Sequence, residues 1–124
     1  MLRFLTILLA MTTAVPHVLA ATLTIECTYS TFSDKDGRHA VSDPFEQTFI
    51  IDSEKESVYV VGDQGSGKVE QVPGESGLSF IEITDNGSVI TTTFDSQGAS
   101  VHSRNTTLNG ILIPSQYYGR CLFK

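Results

Sequence analysis

The chain has 124 residues, and its 14 acidic residues outnumber its 8 basic residues to give a formal net charge of −6. A length of this order is typical of one globular domain with a modest core. The acidic balance disfavours nucleic acids and anionic membrane surfaces as partners, because both attract basic patches. A basic protein, in contrast, is compatible with this charge as a partner.

The first 20 residues have the three parts of a secretory signal peptide. Arg3 provides the positive start, residues 4–15 form an apolar segment, and residues 18–20 make a small-residue cleavage site. The apolar segment is too short to cross a bilayer, which takes about 20 residues, and no second such stretch follows it. We therefore predict cleavage after Ala20, a periplasmic or secreted location, no membrane insertion of the mature chain, and a single domain at residues 21–124. Cleavage would remove Arg3 and no acidic residue, so the mature chain would carry 7 basic and 14 acidic residues and a net charge of −7.

The two cysteines, Cys27 and Cys121, lie near the two ends of the predicted mature chain. In an oxidising compartment such an isolated pair is most simply a disulfide, and no Cys-x-x-Cys motif points to redox chemistry. The bond would close a long loop and stabilise the fold by about 4 to 5 kcal/mol in the chain-entropy model. The Thr-Ile-Glu sequence before Cys27 does not fit the lipobox of a lipoprotein, so we predict no lipid anchor.

Runs rich in Val, Ile, Thr, Phe and Tyr alternate with clusters of Gly, Asp, Asn, Ser and Pro, which is typical of an all-β domain. The first run, residues 21–29, alternates strictly and places Cys27 on its apolar face. The polar residues 33–44 predict the longest loop of the chain. The later predicted strands are residues 45–52, 57–61, 68–72, 78–84, 89–94, 99–104, 108–113 and 119–123.

Local signals refine this pattern. Glu82 falls on the same face as Phe80, which predicts a β-bulge in that strand. Residues 85–87, Asp-Asn-Gly, predict a type I′ turn that joins two strands into a hairpin. The whole pattern predicts a small antiparallel up-and-down barrel or a β-sandwich of about 7–8 strands, closed by the Cys27–Cys121 disulfide.

No catalytic, cofactor or metal motif is specific in this sequence. Residues 62–68 share the Gly and Lys spacing of a phosphate-binding loop, but Val69 replaces the required Ser or Thr, so we predict a hairpin loop and no nucleotide. The acidic residues 34–46 only partly resemble a calcium loop, and a solvated turn is the simpler interpretation. His39 and His102 are predicted to be surface residues, with His102 on the outer face of its strand. We therefore predict that the protein is not an enzyme and has no cofactor or metal.

The C-terminal stretch from His102 to Cys121 has a specific texture, with Ser103-Arg104 and Ser115-Gln-Tyr-Tyr-Gly119 before the closing cysteine. It is similar to the end of a family of small exported α-proteobacterial proteins, and this resemblance implies no known activity. Tyr and Arg are favoured at the centres of interfaces, so the stretch predicts an interaction patch. The patch residues are Arg104, Gln116, Tyr117 and Tyr118. The alternative is that residues 114–119 form a packed corner that positions Cys121.

These observations predict an exported β domain that acts as a protein-binding module. One alternative is an inhibitor of a basic enzyme, because the small acidic domain with one long-range disulfide resembles periplasmic lysozyme inhibitors in architecture and charge. Another is a structural component of the envelope. The partner would be a basic protein or another envelope protein.

Overall fold

The computed structural model describes Ala14, Pro16 and residues 21–63 and 65–124. The predicted signal peptide therefore lies outside the described residues, apart from those two positions. The described residues form eight strands and no helix. Accordingly, this part of the chain has no helix that is long and apolar enough to cross a membrane. The strands are β1 (Thr22–Asp34), β2 (Gly37–Asp52), β3 (Ser57–Gly62), β4 (Gly65–Pro73), β5 (Gly77–Ile83), β6 (Val89–Asp95), β7 (Ala99–Leu108) and β8 (Ile111–Phe123).

Each strand pairs antiparallel with the next one, and β8 pairs with β1, so the sheet closes into an up-and-down barrel. This closure confirms the all-β prediction and decides for the barrel over the sandwich. Cys27 lies directly opposite Cys121 in the β1–β8 register, and the two residues form the predicted disulfide. Closure pairs every strand on both sides, which removes the exposed sheet edges that promote aggregation.

The loop predicted at residues 33–44 is wrong, because β1 and β2 continue through it as one long hairpin. Only Lys35 and Asp36 form the turn, and the Asp34 carboxylate accepts a hydrogen bond from the Asp36 amide at 2.9 Å. The corner considered for residues 114–119 is also wrong, since β8 runs through them and pairs with both β1 and β7. In both segments, residues 33–44 and 114–119, polar side chains on paired strands face the solvent. A loop has the same polar composition, so the sequence does not distinguish the two.

The connection between β5 and β6 is a hairpin, as predicted, but not through a type I′ turn. A type I′ turn needs two successive residues with positive φ, whereas only Gly87 has one here, at 82°. The amide of Gly87 donates to the Thr84 carbonyl at 2.9 Å, and the connection runs over residues 84–88 with the left-handed Gly87 as its fourth residue. The predicted bulge near Glu82 is wrong too, because the β5–β6 register is unbroken. The register shift occurs instead between Tyr29 and Thr31 of β1.

The two halves of the barrel interior differ in chemistry. The half near the chain termini is filled by stacked aromatic rings, with the centroids of Phe49 and Phe80 4.4 Å apart and those of Phe80 and Phe94 5.5 Å apart. Ile25, Val58 and Val69 complete this buried core. The half near the β1–β2, β3–β4, β5–β6 and β7–β8 turns contains polar side chains and open space. The barrel thus has the shape of a cup: the aromatic core closes the end near the chain termini, and the end near the four turns is open.

Candidate functional site

The open half of the barrel contains a cavity of about 520 Å³. Its lining includes apolar side chains such as Phe45, Val60 and Ile90 together with polar ones from β2, β5 and β7. Eight-stranded barrels have interiors that are either filled by side chains or just wide enough for one small ligand. This barrel combines both arrangements, since the aromatic core fills one half and the other half is open.

Small residues on the β3–β4 hairpin create room on one side of the cavity. Gly62, Gly65 and Gly67 all line it, and a Cβ atom at Gly67 would lie 3.4 Å from Oε1 of Glu82. These glycines belong to the segment that shares its spacing with a phosphate-binding loop. The segment forms a hairpin with a left-handed Gly65 (φ 112°), and no helix begins after it among the described residues.

Phe45 and His102 line another side of the cavity, and further aromatic rings pack behind them. The ring of Phe45 lies 5.2 Å from the His102 ring and 5.1 Å from the Tyr117 ring, measured between centroids. Tyr29 packs on the same cluster, 5.5 Å from Phe45. Such contacts hold the rings in fixed positions, because aromatic pairs at these separations are favourable beyond their buried area.

Hydrogen bonds that all run in one direction link Gln47, Tyr29 and Ser100 next to these aromatic rings. The Gln47 side-chain amide donates to the Tyr29 hydroxyl at 3.1 Å, and the Ser100 hydroxyl donates to the backbone carbonyl of Thr93 at 3.0 Å. The Tyr29 and Ser100 hydroxyls are 3.0 Å apart. Since the Ser100 proton is already engaged, Tyr29 donates to Ser100. Burial raises the pKa of the Tyr29 hydroxyl, which keeps it protonated as this chain requires.

The same network fixes the tautomer of His102. Its Nδ1 lies 2.7 Å from the Thr92 hydroxyl and 3.0 Å from the Gln47 amide nitrogen. That nitrogen only donates, and its two protons go to its two shortest contacts, Nδ1 of His102 and the Tyr29 hydroxyl at 3.1 Å, rather than to the Thr92 oxygen at 3.3 Å. Nδ1 therefore accepts, and the ring proton is on Nε2. Burial, helped by the positive charge of Arg104, lowers the pKa of His102 to about 4, so the imidazole is neutral at neutral pH.

The prediction that His102 is a surface residue is wrong, because only 5% of it is exposed. His102 and Ser100 of β7 face the barrel interior, where His102 contacts Gln47 and Thr92 and Ser100 contacts Tyr29. His39 does lie nearer the surface, and its Nε2 is 2.9 Å from the Asp34 carboxylate. The hydrogen bond with His39 lowers the pKa of the Asp34 carboxyl, and the hydrogen bond from the Asp36 amide adds a smaller effect in the same direction.

Two opposite charges flank the mouth of the cavity. Glu82 pairs with Ile90 and Ile90 pairs with Arg104, so the three residues form one row across β5, β6 and β7, and all three line the cavity. Within residues 21–63 and 65–124, neither the Glu82 carboxylate nor the Arg104 guanidinium makes a salt bridge. Asp63 on the β3–β4 turn adds a second acidic group to the lining.

The structure distributes the predicted interaction patch over two faces of the sheet. Arg104 lies at the cavity mouth and Tyr117 packs inward against Phe45. Tyr118 follows on the opposite face, where its hydroxyl donates to Gln116 at 3.0 Å. The guanidinium of Arg38 stacks on the Tyr118 ring at 4.6 Å from its centroid. Gln116 and Tyr118 thus share a surface with Arg38 and are separated by the sheet from Tyr117.

Sequence reasoning missed Gln47 and Thr92, because isolated Gln and Thr residues in strands carry no motif. One signal of a polar interior was present in the sequence: Glu82 is two residues from Phe80 and so lies on the same face of the strand. The structure confirms that both side chains face the barrel interior. Among the described residues, no group of three or more His, Cys, Asp or Glu side chains is arranged to hold a metal ion.

Comparison of the chain with protein-family models, with curated proteins and with solved structures finds no match.

Proposed function

We propose that the protein is an exported binding protein that holds a small organic molecule in the open end of its barrel. The observation that carries this proposal is the cavity of about 520 Å³, whose lining combines the apolar side chains of Phe45, Val60 and Ile90 with a larger number of polar and charged ones. Sites for small molecules measure about 300 to 1,000 Å³, and their polar groups orient the ligand. Export is supported by the signal-peptide pattern of residues 1–20 and is compatible with the disulfide.

We propose a binding role rather than catalysis. The buried imidazole of His102 has a pKa of about 4, which makes it a weak general base at neutral pH. Its Nδ1 also contacts Thr92 and Gln47, so Nε2 is the ring nitrogen that is left for a ligand. A neutral, fixed hydrogen-bond donor suits recognition of a ligand better than proton transfer.

The cavity proposal is tested by filling the cavity. Gly67 has no positive φ, and its Cβ would meet only the end of the Glu82 side chain, so Gly67→Phe places a ring inside the cup. Lys68→Phe is the matched control, because Lys68 is exposed on the next position of the same strand. Protein produced from the full coding sequence is screened by thermal shift against neutral, anionic, cationic and zwitterionic metabolites, and denatured samples are analysed by mass spectrometry for molecules that co-purify.

We expect at least one compound to raise the melting temperature of wild type and of Lys68→Phe, but not of Gly67→Phe. A compound that stabilises all three proteins equally binds elsewhere and contradicts the proposal. The absence of both a stabilising compound and a co-purifying molecule would also reject it.

We propose a protein partner as a second candidate function. It is favoured by the tip of the β7–β8 hairpin, where Leu108, Ile111 and Leu112 are each 60% exposed or more. Clustered exposed apolar side chains mark interaction sites, and the acidic chain favours a basic partner such as a lysozyme-like enzyme. Membership of an exported α-proteobacterial family remains a prediction that accompanies this candidate.

The second candidate is tested by capture from the native cell envelope with tagged protein and by a lysozyme activity assay. If the hairpin tip binds a protein, Leu112→Ser loses the captured partner, whereas Val61→Ser, which removes an exposed apolar side chain from β3, retains it. Unchanged lysis at micromolar protein would reject the inhibitor alternative, and equal capture by both variants would reject the hairpin as the binding surface.

A further inference from the structure

The walls of the cavity present a donor and an acceptor for which residues 21–63 and 65–124 supply no hydrogen-bond partner. Within residues 21–63 and 65–124, neither His102 Nε2 nor Gln47 Oε1 makes a hydrogen bond, although both residues are more than 90% buried. The one side-chain polar atom of this part of the chain that is both fully inaccessible and without a partner is Ser57 Oγ. His102 Nε2 and Gln47 Oε1 therefore keep accessible surface, and both residues line the cavity.

These two atoms are complementary to a peptide group. The network already fixes the proton of His102 on Nε2, so this nitrogen donates, while the Gln47 amide oxygen only accepts. A ligand group that carries a carbonyl acceptor next to an N–H donor satisfies both. A buried donor or acceptor that is left without a partner is costly, so this pair selects for such a group.

The charges at the mouth require a different pair of groups on the same ligand. Glu82 and Arg104 lie on either side of Ile90, with Cα atoms about 10 Å apart if adjacent strands keep their usual spacing of about 4.8 Å. The Glu82 carboxylate is complementary to an ammonium group, and the Arg104 guanidinium binds a carboxylate in bidentate geometry. Asp63 makes the mouth net acidic, which favours a positive ligand over a negative one.

We propose that the ligand is a short peptide of two or three residues with both ends free. Its ammonium group binds Glu82, its carboxylate binds Arg104, and a peptide group faces His102 Nε2 and Gln47 Oε1. The side chains of the peptide contact Phe45, Val60 and Ile90, and a cavity of about 520 Å³ accommodates a molecule of this size. This inference rests on the proposed function of the cavity.

The charge requirement is tested by calorimetric titration of the wild-type protein with alanylalanine and its two blocked forms. Alanylalanine should bind best, alanylalaninamide about 10-fold more weakly, and N-acetyl-alanylalanine weakest, because it loses the cation and faces a net acidic mouth. Equal binding of the free and blocked peptides, or no binding of alanylalanine, would overturn the proposal.

Matched variants assign the charges. Glu82→Gln and Arg104→Gln should each weaken alanylalanine about 10-fold or more, and Glu82→Gln should no longer distinguish the free peptide from the acetylated one. Glu70→Gln and Lys68→Gln, which alter exposed charges on β4, should bind within about 2-fold of wild type, because these side chains lie outside the cup. If the variants at the mouth and the variants on β4 weakened alanylalanine equally, the peptide would respond to the net charge of the protein and not to Glu82 and Arg104.

The peptide-group requirement is tested with glycylglycine and 5-aminopentanoate, which have the same number of backbone atoms between their charged ends but differ in the amide. We expect 5-aminopentanoate to bind about 10-fold more weakly, since it leaves His102 Nε2 and Gln47 Oε1 unpaired. Equal affinity would overturn the assignment of these two atoms. If peptides fail to bind while another compound loses its thermal shift in Gly67→Phe, this inference is wrong and the proposed small-molecule function stands.

Discussion

At the residue scale, His102 shows how the barrel interior determines the state of a titratable group. The ring packs against Phe45, Tyr29 and Tyr117, and in the part of the chain that the structure describes its polar contacts are Thr92 and Gln47, both on Nδ1. The Gln47 amide nitrogen can only donate, so a proton on Nδ1 would face another donor, and the Thr92 hydroxyl is free to donate to the neutral nitrogen. The nearby guanidinium of Arg104 opposes a positive charge on the ring as well. The site therefore selects the neutral imidazole.

This state predicts a pH dependence of stability. The unfolded chain binds a proton on His102 near pH 6.5, whereas the folded protein does so only near pH 4. Because the folded pKa is lowered, its contribution to stability is complete above pH 6.5 and is lost as the pH falls from 6.5 to 4. The free energy of unfolding should decrease by about 3 kcal/mol over this window, measured by urea denaturation.

The control for this prediction is His102→Gln, in which the decrease between pH 6.5 and 4 should be largely absent. An NMR titration of the His102 ring protons in wild type provides a measurement that does not depend on the variant's folding. Titration near pH 6.5 would contradict the prediction.

At the scale of elements, the seam between β1 and β8 depends on a glycine. Gly119 pairs with Tyr29 in β1 and with Ser100 in β7, at the place where the β1 register shifts. A Cβ atom at Gly119 would overlap the backbone carbonyl oxygen of Thr28 and lie 2.7 Å from Cα of Tyr29. Because these are backbone atoms, neither moves without distorting the strand pairing. The strands approach closely here only because residue 119 has no side chain.

We therefore predict that Gly119→Ala lowers the free energy of unfolding by about 3 kcal/mol or more, since overpacking against backbone shifts both strands. Gly62→Ala is the matched control. It lies in a strand without a positive φ, and its Cβ would be 3.9 Å from the nearest atom, the carbonyl oxygen of Glu46. That change should stay within about 1 kcal/mol of wild type in the same urea denaturation experiment. Similar losses for the two variants would show that the loss of glycine itself, and not the β1–β8 approach, is responsible.

At the scale of the whole molecule, the barrel interior is divided between an aromatic core and a polar cavity. The aromatic layer of Phe49, Phe80 and Phe94 fills one end and supplies the buried apolar core. The other end contains the hydrogen-bond network and the cavity, so its polar groups do not weaken that core. The disulfide joins the first and last strands, 94 residues apart in sequence, and lowers the chain entropy of the unfolded state accordingly. This division allows a small domain to keep open space inside.

Much of the fold was predictable because its signals are local. The period-2 alternation around Cys27 identified a strand and its buried face, and the turn residues divided the rest of the chain into strands. The positions of Cys27 and Cys121 in the two terminal strands predicted how the sheet closes. The hairpin at residues 33–44 was missed because its strands are polar on their exposed face, and pairing rather than composition makes them strands.

The candidate site was mostly not predictable. His102 was placed on the wrong face because alternation of polar and apolar residues assumes an apolar interior, and half of this interior is polar. Only Glu82, on the same face as Phe80, indicates otherwise, and a β-bulge explains its position in the sequence equally well. Gln47 and Thr92 carried no signal of their own.

The sequence by itself determined the strand content, the acidic charge and the disulfide, because periodicity, composition and cysteine number are properties of the chain. The tertiary structure decided that the sheet closes into a barrel, and that closure brings β2, β5, β6 and β7 around one cavity. The hydrogen bonds among Gln47, Thr92 and His102 and the row from Glu82 to Arg104 exist only through this closure. They join residues that are up to 55 positions apart, and no local pattern specifies such contacts.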